Sequence, residues 1–595
     1  MPTILHRLSH WAKENPEAAA QRYKKDGTWN TITAREFCNR VYYLALFLES
    51  RGLAKNEVGV ILSVNCPEWV HIDLGTVLYG MKSAGLYPNS TIKDVHYILN
   101  QTEASIVTVQ NRSFWHKIVG ENGEHELPAR VKTVIALDGD TSISPLAISY
   151  EDAIAEGRRI AQSTRKTKMS ELLDQIDPDE GRFIIYTSGT TGNPKGALLS
   201  LDNLTYTSDL ASDFWKLPYG QGTLFSFLPL CHIAEKIQNL GVGISQRYTV
   251  SFSTKIEHVA KELPEVEPTL LLSVPRLWEK MMEGVCHKVD QSTGMKKKMA
   301  LWALDVGKRV ADARFSGRFV NPKDLIEYRI ADKLVLSKIR NAMGLGKVEV
   351  LASGAAALPA HISRWFRCLG LEILEDYGQT ESTGVICMTE PGVESAGTVG
   401  KPVTGVEVKI AEDGEILTRG RHVFKGYYKN PEATATTLVD GWLHTGDLGE
   451  LTDRGLIRIK GRKKEVLKTS GGKMVAPLPI EEAIKAFPKV SQVCIVGDGR
   501  KYLTALVTLS EEALKDAKKT IGDSGRIIEN DEIKHEIKKY FDEVNGTLAS
   551  FEQIKRFEIL ANEFSVESGE MTPTLKMKRA VVEKNYQDII DRMYA

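Results

Sequence analysis

The chain is 595 residues long, enough for roughly three to five domains, or fewer where one is a large α/β unit. Lys plus Arg and Asp plus Glu balance at 77 each, so no global field draws the protein to nucleic acid, and any attraction to an anionic membrane has to be local. Seven scattered cysteines, at 38, 66, 231, 286, 368, 387 and 494, form no C-x-x-C pair and have no histidines at zinc spacing. That pattern argues against a disulfide framework or structural metal and for reduced thiols in the cytoplasm.

The first residues, MPTILHRLSHWAKENPE, are amphipathic and soon polar, without the apolar core and small-residue cleavage site of a signal peptide. No run approaches the roughly 18 apolar residues of a transmembrane helix, so the expected location is the cytoplasm, with at most peripheral contact at the inner membrane surface. From Ala34 to about Asn111, helix-like segments such as REFCNRVYYLALFLESRG alternate with apolar runs such as VGVILSV and ASIVTVQ. The alternation returns at GTLFSFLPL, PTLLLSVP and KVEVLASGAAAL, predicting a doubly wound α/β body with a parallel sheet to about residue 390. Residues 295–340, opening MKKKMALWAL, read as a helical region rich in Lys and Arg; a solvated face is preferred there over membrane-surface contact. Between 397 and 460 short strands with Gly and Asp turns predict a small antiparallel or barrel-like subdomain. After Gly461 the charged run GRKKEVLK leads into a separate C-terminal unit. Its Ile533, Ile537, Tyr540, Phe541, Val544 and Leu548 fall on one helical face. GDSG at 522–525 reads as a surface turn.

Residues 186–196, YTSGTTGNPKG, pack three glycines, a serine, three threonines and one lysine behind the apolar run Phe183-Ile184-Ile185. Such a loop lets backbone approach a ligand closely while hydroxyls, amides and one ammonium present hydrogen to an anion. It is not a Walker loop, because Pro194 and Gly196 stand where that motif needs glycine and a hydroxyl residue. By itself the cluster reads equally well as a flexible turn. Further islands follow in order: LPLCH (228–232), ASGAAAL (352–358), DYGQTES (376–382), WLHTGDLG (442–449), GRKKEVLKTSGGK (461–473) and TPTLKMKR (572–579).

In the order and spacing of all seven, the chain resembles the adenylate-forming superfamily of acyl-CoA synthetases. LPLCHIAEK, SVPRLWEK and GEMTPTLKMKR look like its long-chain fatty acyl-CoA synthetases. The resemblance implies a large N-terminal domain (1–460) of doubly wound α/β subdomains plus a small β-barrel-like subdomain (about 397–460). A hinge (461–464) and a smaller, mobile α+β C-terminal domain (465–595) complete the implied fold.

The implied activity is ATP- and Mg2+-dependent conversion of a long-chain fatty acid to an acyl-adenylate and then, with coenzyme A, to acyl-CoA. Lys195 with Thr187, Ser188, Gly189, Thr190, Thr191 and Gly192 would cradle the β- and γ-phosphates. Glu381 would carry magnesium and Thr380 would reach the α-phosphate. Gly354, Ala355 and Ala356 would let the purine lie against backbone, Tyr377 would cover its other face, and Asp376 would meet the exocyclic amine. Asp447 and Arg462 would hold the ribose, although Asp447 standing alone reads as a turn residue; Gly378 and Lys468 complete the cofactor-binding set. Lys464 matches the hinge position. Lys576, selected over Lys578 by the P-T-x-K pattern, would neutralise charge between the acyl carboxylate and the α-phosphate. Gly471 and Gly472 would lie near the pantetheine arm, and His232 at the junction of the acyl and thiol tunnels or, equally, in the core.

Two departures stand out: Ser200-Leu201-Asp202-Asn203 follows the phosphate loop where relatives have a Thr-His step, and Cys231 replaces a small residue. The alternatives are an acyl-adenylate enzyme serving a carrier-protein thiol and a nucleotide-binding scaffold without turnover. Nucleic acid is not an expected partner, and the oligomeric state stays open between monomer and homodimer.

Overall fold

The computed structural model describes residues 2–163, 166–187, 193–393, 395–511, 513–514, 531–572 and 576–595. Of the predicted positions, Ser188, Gly189, Thr190, Thr191 and Gly192, together with GDSG at 522–525, lie outside the described residues.

Two sheets with parallel centres make the body. A seven-stranded sheet runs Ala147–Ser149, Thr133–Ala136, Ile106–Val109, Val58–Leu62, Lys82–Leu86, Gly181–Thr187, Lys195–Ser200, all parallel but the last strand. A nine-stranded sheet has Thr249–Phe252, Thr223–Ser226, Leu270–Ser273, Val350–Ser353 and Ile373–Tyr377 at its parallel centre. The central strands read as unbroken apolar runs because helices cover both faces. In the helix Pro67–Tyr79 every residue but Glu68 is buried, as a helix enclosed on all sides requires.

Residues Glu407–Arg462 supply a five-stranded antiparallel sheet, in which Trp442–Leu451 pairs with Glu415–Arg419 on one side and Ile457–Arg462 on the other. A short turn, Lys463–Glu465, follows. Beyond it stand the hairpin Leu467–Lys468/Met474–Val475 and a three-stranded sheet of Val490–Val496, Leu503–Leu509 and Ile554–Leu560. Helix Asp531–Asn545 buries Ile533, Ile537, Phe541 and Val544 against that sheet, with Tyr540 and Leu548 at the margin, the face its periodicity predicts.

The basic region folds as the helix Gly294–Phe315, packed on Ala360–Cys368, followed by Pro322–Ala331. Gly307 lets this packing close: a Cβ there would lie 2.0 Å from the Cys368 carbonyl oxygen. Among the described residues no helix is long and apolar enough to cross a membrane.

Candidate active site

The antiparallel pair Gly181–Thr187/Lys195–Ser200 places Thr187 opposite Lys195, so the two ends of the phosphate-type loop are held together by strand pairing. The Thr187 hydroxyl donates to the Lys195 carbonyl at 3.3 Å. The altered step after the loop is accommodated locally. Ser200 caps the helix Leu201–Phe214 in a reciprocal box with Asn203, and the buried Asn203 amide donates to the carbonyls of Arg421 (2.7 Å) and Val423 (3.0 Å). Cys231 is likewise accommodated, by the absence of a side chain at Gly85, where a Cβ would lie 2.8 Å from that of Cys231.

Lys195 Nζ sits 5.1 Å from the ring centroid of Tyr427, whose hydroxyl donates to Glu381 Oε1 at 2.6 Å. Glu381 is buried in the tight turn Thr380–Ser382, and its carbonyl accepts from Phe424 N–H at 2.9 Å. Gly378 precedes this turn because nothing larger fits: a Cβ there would meet the Gly384 carbonyl oxygen at 2.2 Å. Tyr427 carries no motif signal; only the fold shows that it joins the predicted phosphate lysine to the predicted metal carboxylate.

Asp447 and Arg462 are direct partners in the register of their two strands, and Arg462 Nε lies 2.8 Å from Asp447 Oδ1. Tyr377 donates its hydroxyl to Asp447 Oδ2, also at 2.8 Å. A carboxylate has about four lone-pair sites, so acceptor capacity remains for a diol. Burial raises the Tyr377 hydroxyl pKa, and the Asp447 charge adds to the effect, keeping it a donor.

Lys576 is open to solvent on one side while protein crowds its other sides. That crowding, then the Arg462 cation, lowers its ammonium pKa, against the pull of Asp447, Glu381 and Glu465. His232 belongs to the same neighbourhood: burial first, then Lys576, pushes its imidazole down to about 4, so it is neutral at physiological pH. Its Nδ1 accepts from Ala234 N–H at 3.3 Å, capping Ile233–Lys236.

Ala355 adopts φ +66°, a left-handed conformation costly for a residue with a Cβ and concentrated at functional sites. Successive residues of the strand Ile373–Tyr377 point to opposite faces, and Tyr377 reaches Asp447 while Glu375 accepts from Leu358 N–H at 3.3 Å beside the Gly354–Ala356 loop. Asp376 lies against the start of that loop: a Cβ at Gly354 would sit 3.3 Å from the Asp376 carbonyl oxygen and 3.9 Å from the Asp376 Cβ. It lines a cavity with Trp215, Ile237, Leu272, Val385 and Met388, and burial pushes its carboxyl up to about 8. The Glu375 carboxyl is also raised to about 8, chiefly by burial.

Lys464 is exposed in the turn Lys463–Glu465. Lys468, Gly471 and Gly472 lie on an exposed hairpin whose bonds run within the C-terminal unit: Lys468 N–H to Asp498 Oδ1 and Gly472 N–H to the Thr469 carbonyl, at 2.9 and 2.8 Å. The structure does not bring these three to the Glu381–Asp447 cluster.

Residues 8–428 match the model of the AMP-binding enzyme family and residues 464–595 that of the AMP-binding enzyme C-terminal domain. A long-chain-fatty-acid–CoA ligase of Mycobacterium bovis is 32% identical over 593 residues, 98% of this chain and 95% of that one. A rat long-chain-fatty-acid–CoA ligase is 31% identical over 632 residues, 100% and 86%. Among solved structures, the adenylation domain of a Mycobacterium chelonae carboxylate reductase superposes with a TM-score of 0.76 at 21% identity, covering 100% of this chain and 91% of that one. With its motifs, its fold and its end-to-end match in accord, the chain belongs to the AMP-binding enzyme family.

Proposed function

We propose that this enzyme joins a long-chain fatty acid to coenzyme A in two steps at one site. The acid's carboxylate oxygen attacks the α-phosphorus of ATP, and pyrophosphate leaves. The thiol sulfur of coenzyme A then attacks the acyl carbon, AMP leaves with the bonding pair, and the thiol proton passes to solvent or a base. The observation that carries the reading is the clustering of Lys195, Glu381, Asp447, Arg462 and Lys576 in one neighbourhood.

Roles follow from chemistry. Lys195 and Thr187 hold the leaving phosphates, with Thr380 toward the α-phosphate. Lys576 offsets the repulsion between two anions that must touch, and the left-handed loop at Ala355, with Tyr377 and Asp376, frames the purine. Glu381 fits magnesium as a single carboxylate of the kind that ion uses when substrate phosphates and waters supply its other ligands; when bound it would neutralise phosphate charge. The acyl tail would run toward the Asp376 cavity. At about 30 Å³ the cavity holds little more than one water-sized group, so side chains move to admit a tail. The neighbouring π-helical stretch Ile237–Val242 is where such give is usual.

A mobile C-terminal domain, 465–595 on a hinge at 461–464, would carry Lys576 out and the Gly471–Gly472 turn in for the second step. The enzyme would work in the cytoplasm. Incubation with ATP, Mg2+ and palmitate is expected to release pyrophosphate, and added coenzyme A to yield AMP and palmitoyl-CoA. Acyl transfer to an acyl carrier protein but not to coenzyme A, or no pyrophosphate release with any fatty acid, overturns the reading.

A further inference from the structure

Seven of the sixteen exposed large apolar side chains among the described residues fall between 295 and 334. Met295 is 72% and Phe319 85% exposed, and Ile326, Ile330 and Leu334 follow at four-residue spacing, which puts them along one stripe of a helix. This part of the chain is firmly mounted. Ala303, Val306 and Val310 on the inner face of Gly294–Phe315 are buried, and Arg309 ties that helix to the next through Asp324 and Glu327. The outward stripe is therefore not a core face left unpacked by a loose segment.

Charge gathers at the same place. Residues 294–342 hold twelve Lys and Arg against five Asp and Glu, a difference of seven in a chain whose total is zero. Lys296, Lys298, Lys323, Arg329, Lys333 and Lys338 are exposed and make no ion pair among the described residues. Exposed apolar side chains interleaved with unpaired cations are the composition of a helix face that lies in the headgroup region of an anionic bilayer. A second copy of the chain is a poor occupant, because a two-fold self-contact would set the same cations against each other.

We infer that the helical hairpin Gly294–Phe315/Pro322–Ala331, continuing to Leu334, is a docking face for an anionic phospholipid surface, with Phe319 inserted at its tip. The inference goes beyond the ligase reading and stands without it.

The test is flotation of the full chain with phosphatidylcholine vesicles with and without phosphatidylglycerol. The wild type is expected to float with the anionic vesicles and to be released by raised salt. Phe319→Ser with Ile326→Ser is expected to lower partitioning by about tenfold or more, the worth of withdrawing one or two large apolar groups from lipid. Lys323→Glu with Lys333→Glu is expected to abolish the preference for anionic vesicles. All four positions are exposed, so thermal unfolding and adenylation of soluble octanoate serve as controls and should not change. The inference is overturned if the wild type floats with neither vesicle, if both variants float as it does, or if the loss of flotation accompanies loss of a dimer in sedimentation. Failure of a chain that still floats to adenylate any fatty acid, palmitate included, would instead count against the ligase reading.

Discussion

One side chain, Tyr427, ties together two charged groups more than 180 positions apart: its ring lies under Lys195 and its hydroxyl on Glu381. Groups that orient a metal-binding carboxylate typically matter by about 10–100-fold in metal affinity. Tyr427→Phe, which keeps the ring and deletes the hydroxyl, is expected to raise by that factor the Mg2+ concentration needed for half-maximal pyrophosphate release; a titration identical to wild type would show that Glu381 needs no such support. Lys576→Ala is expected to slow adenylate formation by about 10²–10³ while sparing thioester formation from presynthesised acyl-adenylate. Equal losses in both half-reactions would remove Lys576 from the role proposed for it.

At the scale of single elements, the strand Ile373–Tyr377 turns two adjacent acids to opposite faces, and burial sets both carboxyls to about 8. Unfolded carboxyls titrate near about 4, so the folded state holds the extra protons between these values. The associated stability is fully present below about pH 4 and is lost as pH rises through about 8. Urea unfolding from about pH 5 to about pH 9 should therefore show a declining component that is shallower in Asp376→Asn; parallel slopes would mean that the carboxyl is ionised throughout. The helix Ile233–Lys236 supplies a second case. Lys236 Nζ is 2.5 Å from Asp73 Oδ2, with both side chains almost wholly buried, and lies 4.8 and 4.6 Å from the rings of Trp69 and Phe183. Breaking a buried pair leaves an uncompensated charge and costs about 3–5 kcal/mol. Asp73→Asn is expected to destabilise by that order in chemical denaturation, and a change under about 1 kcal/mol would mean that the ammonium finds water or another acceptor.

Across the whole molecule, the C-terminal unit meets the large domain beside the Glu381–Asp447 cluster. Lys576 feels Asp447 and Glu381, Glu482 feels Glu375, and Arg276 approaches Glu563 at 3.8 Å, the arrangement suited to adenylation. The second half-reaction needs different groups, and Lys464 in the turn Lys463–Glu465 is the proposed pivot. Proline locks φ near −65° and restricts the residue before it. Lys464→Pro is expected to preserve adenylation within about threefold while thioester formation falls by at least about tenfold, since one state is retained and the other barred. Loss of both half-reactions together would place the pivot elsewhere.

The alternation of helix and apolar strand, the glycine- and threonine-rich loop, the acidic islands and the helical face from Ile533 to Leu548 were all legible in one dimension. Each is written in contiguous residues whose backbone needs and burial period are local. The family, too, was legible in the order of those islands. Tyr427, the left-handed turn at Ala355 and the close approach of Lys576 to His232 were not, because each depends on which strand face meets which loop across large separations in the chain. Tertiary packing alone decided that the basic stretch near residue 300, read by composition as a solvated face, also presents an ordered apolar stripe. Composition counts charges, whereas only the mounting of a helix determines which of its sides is left facing outward.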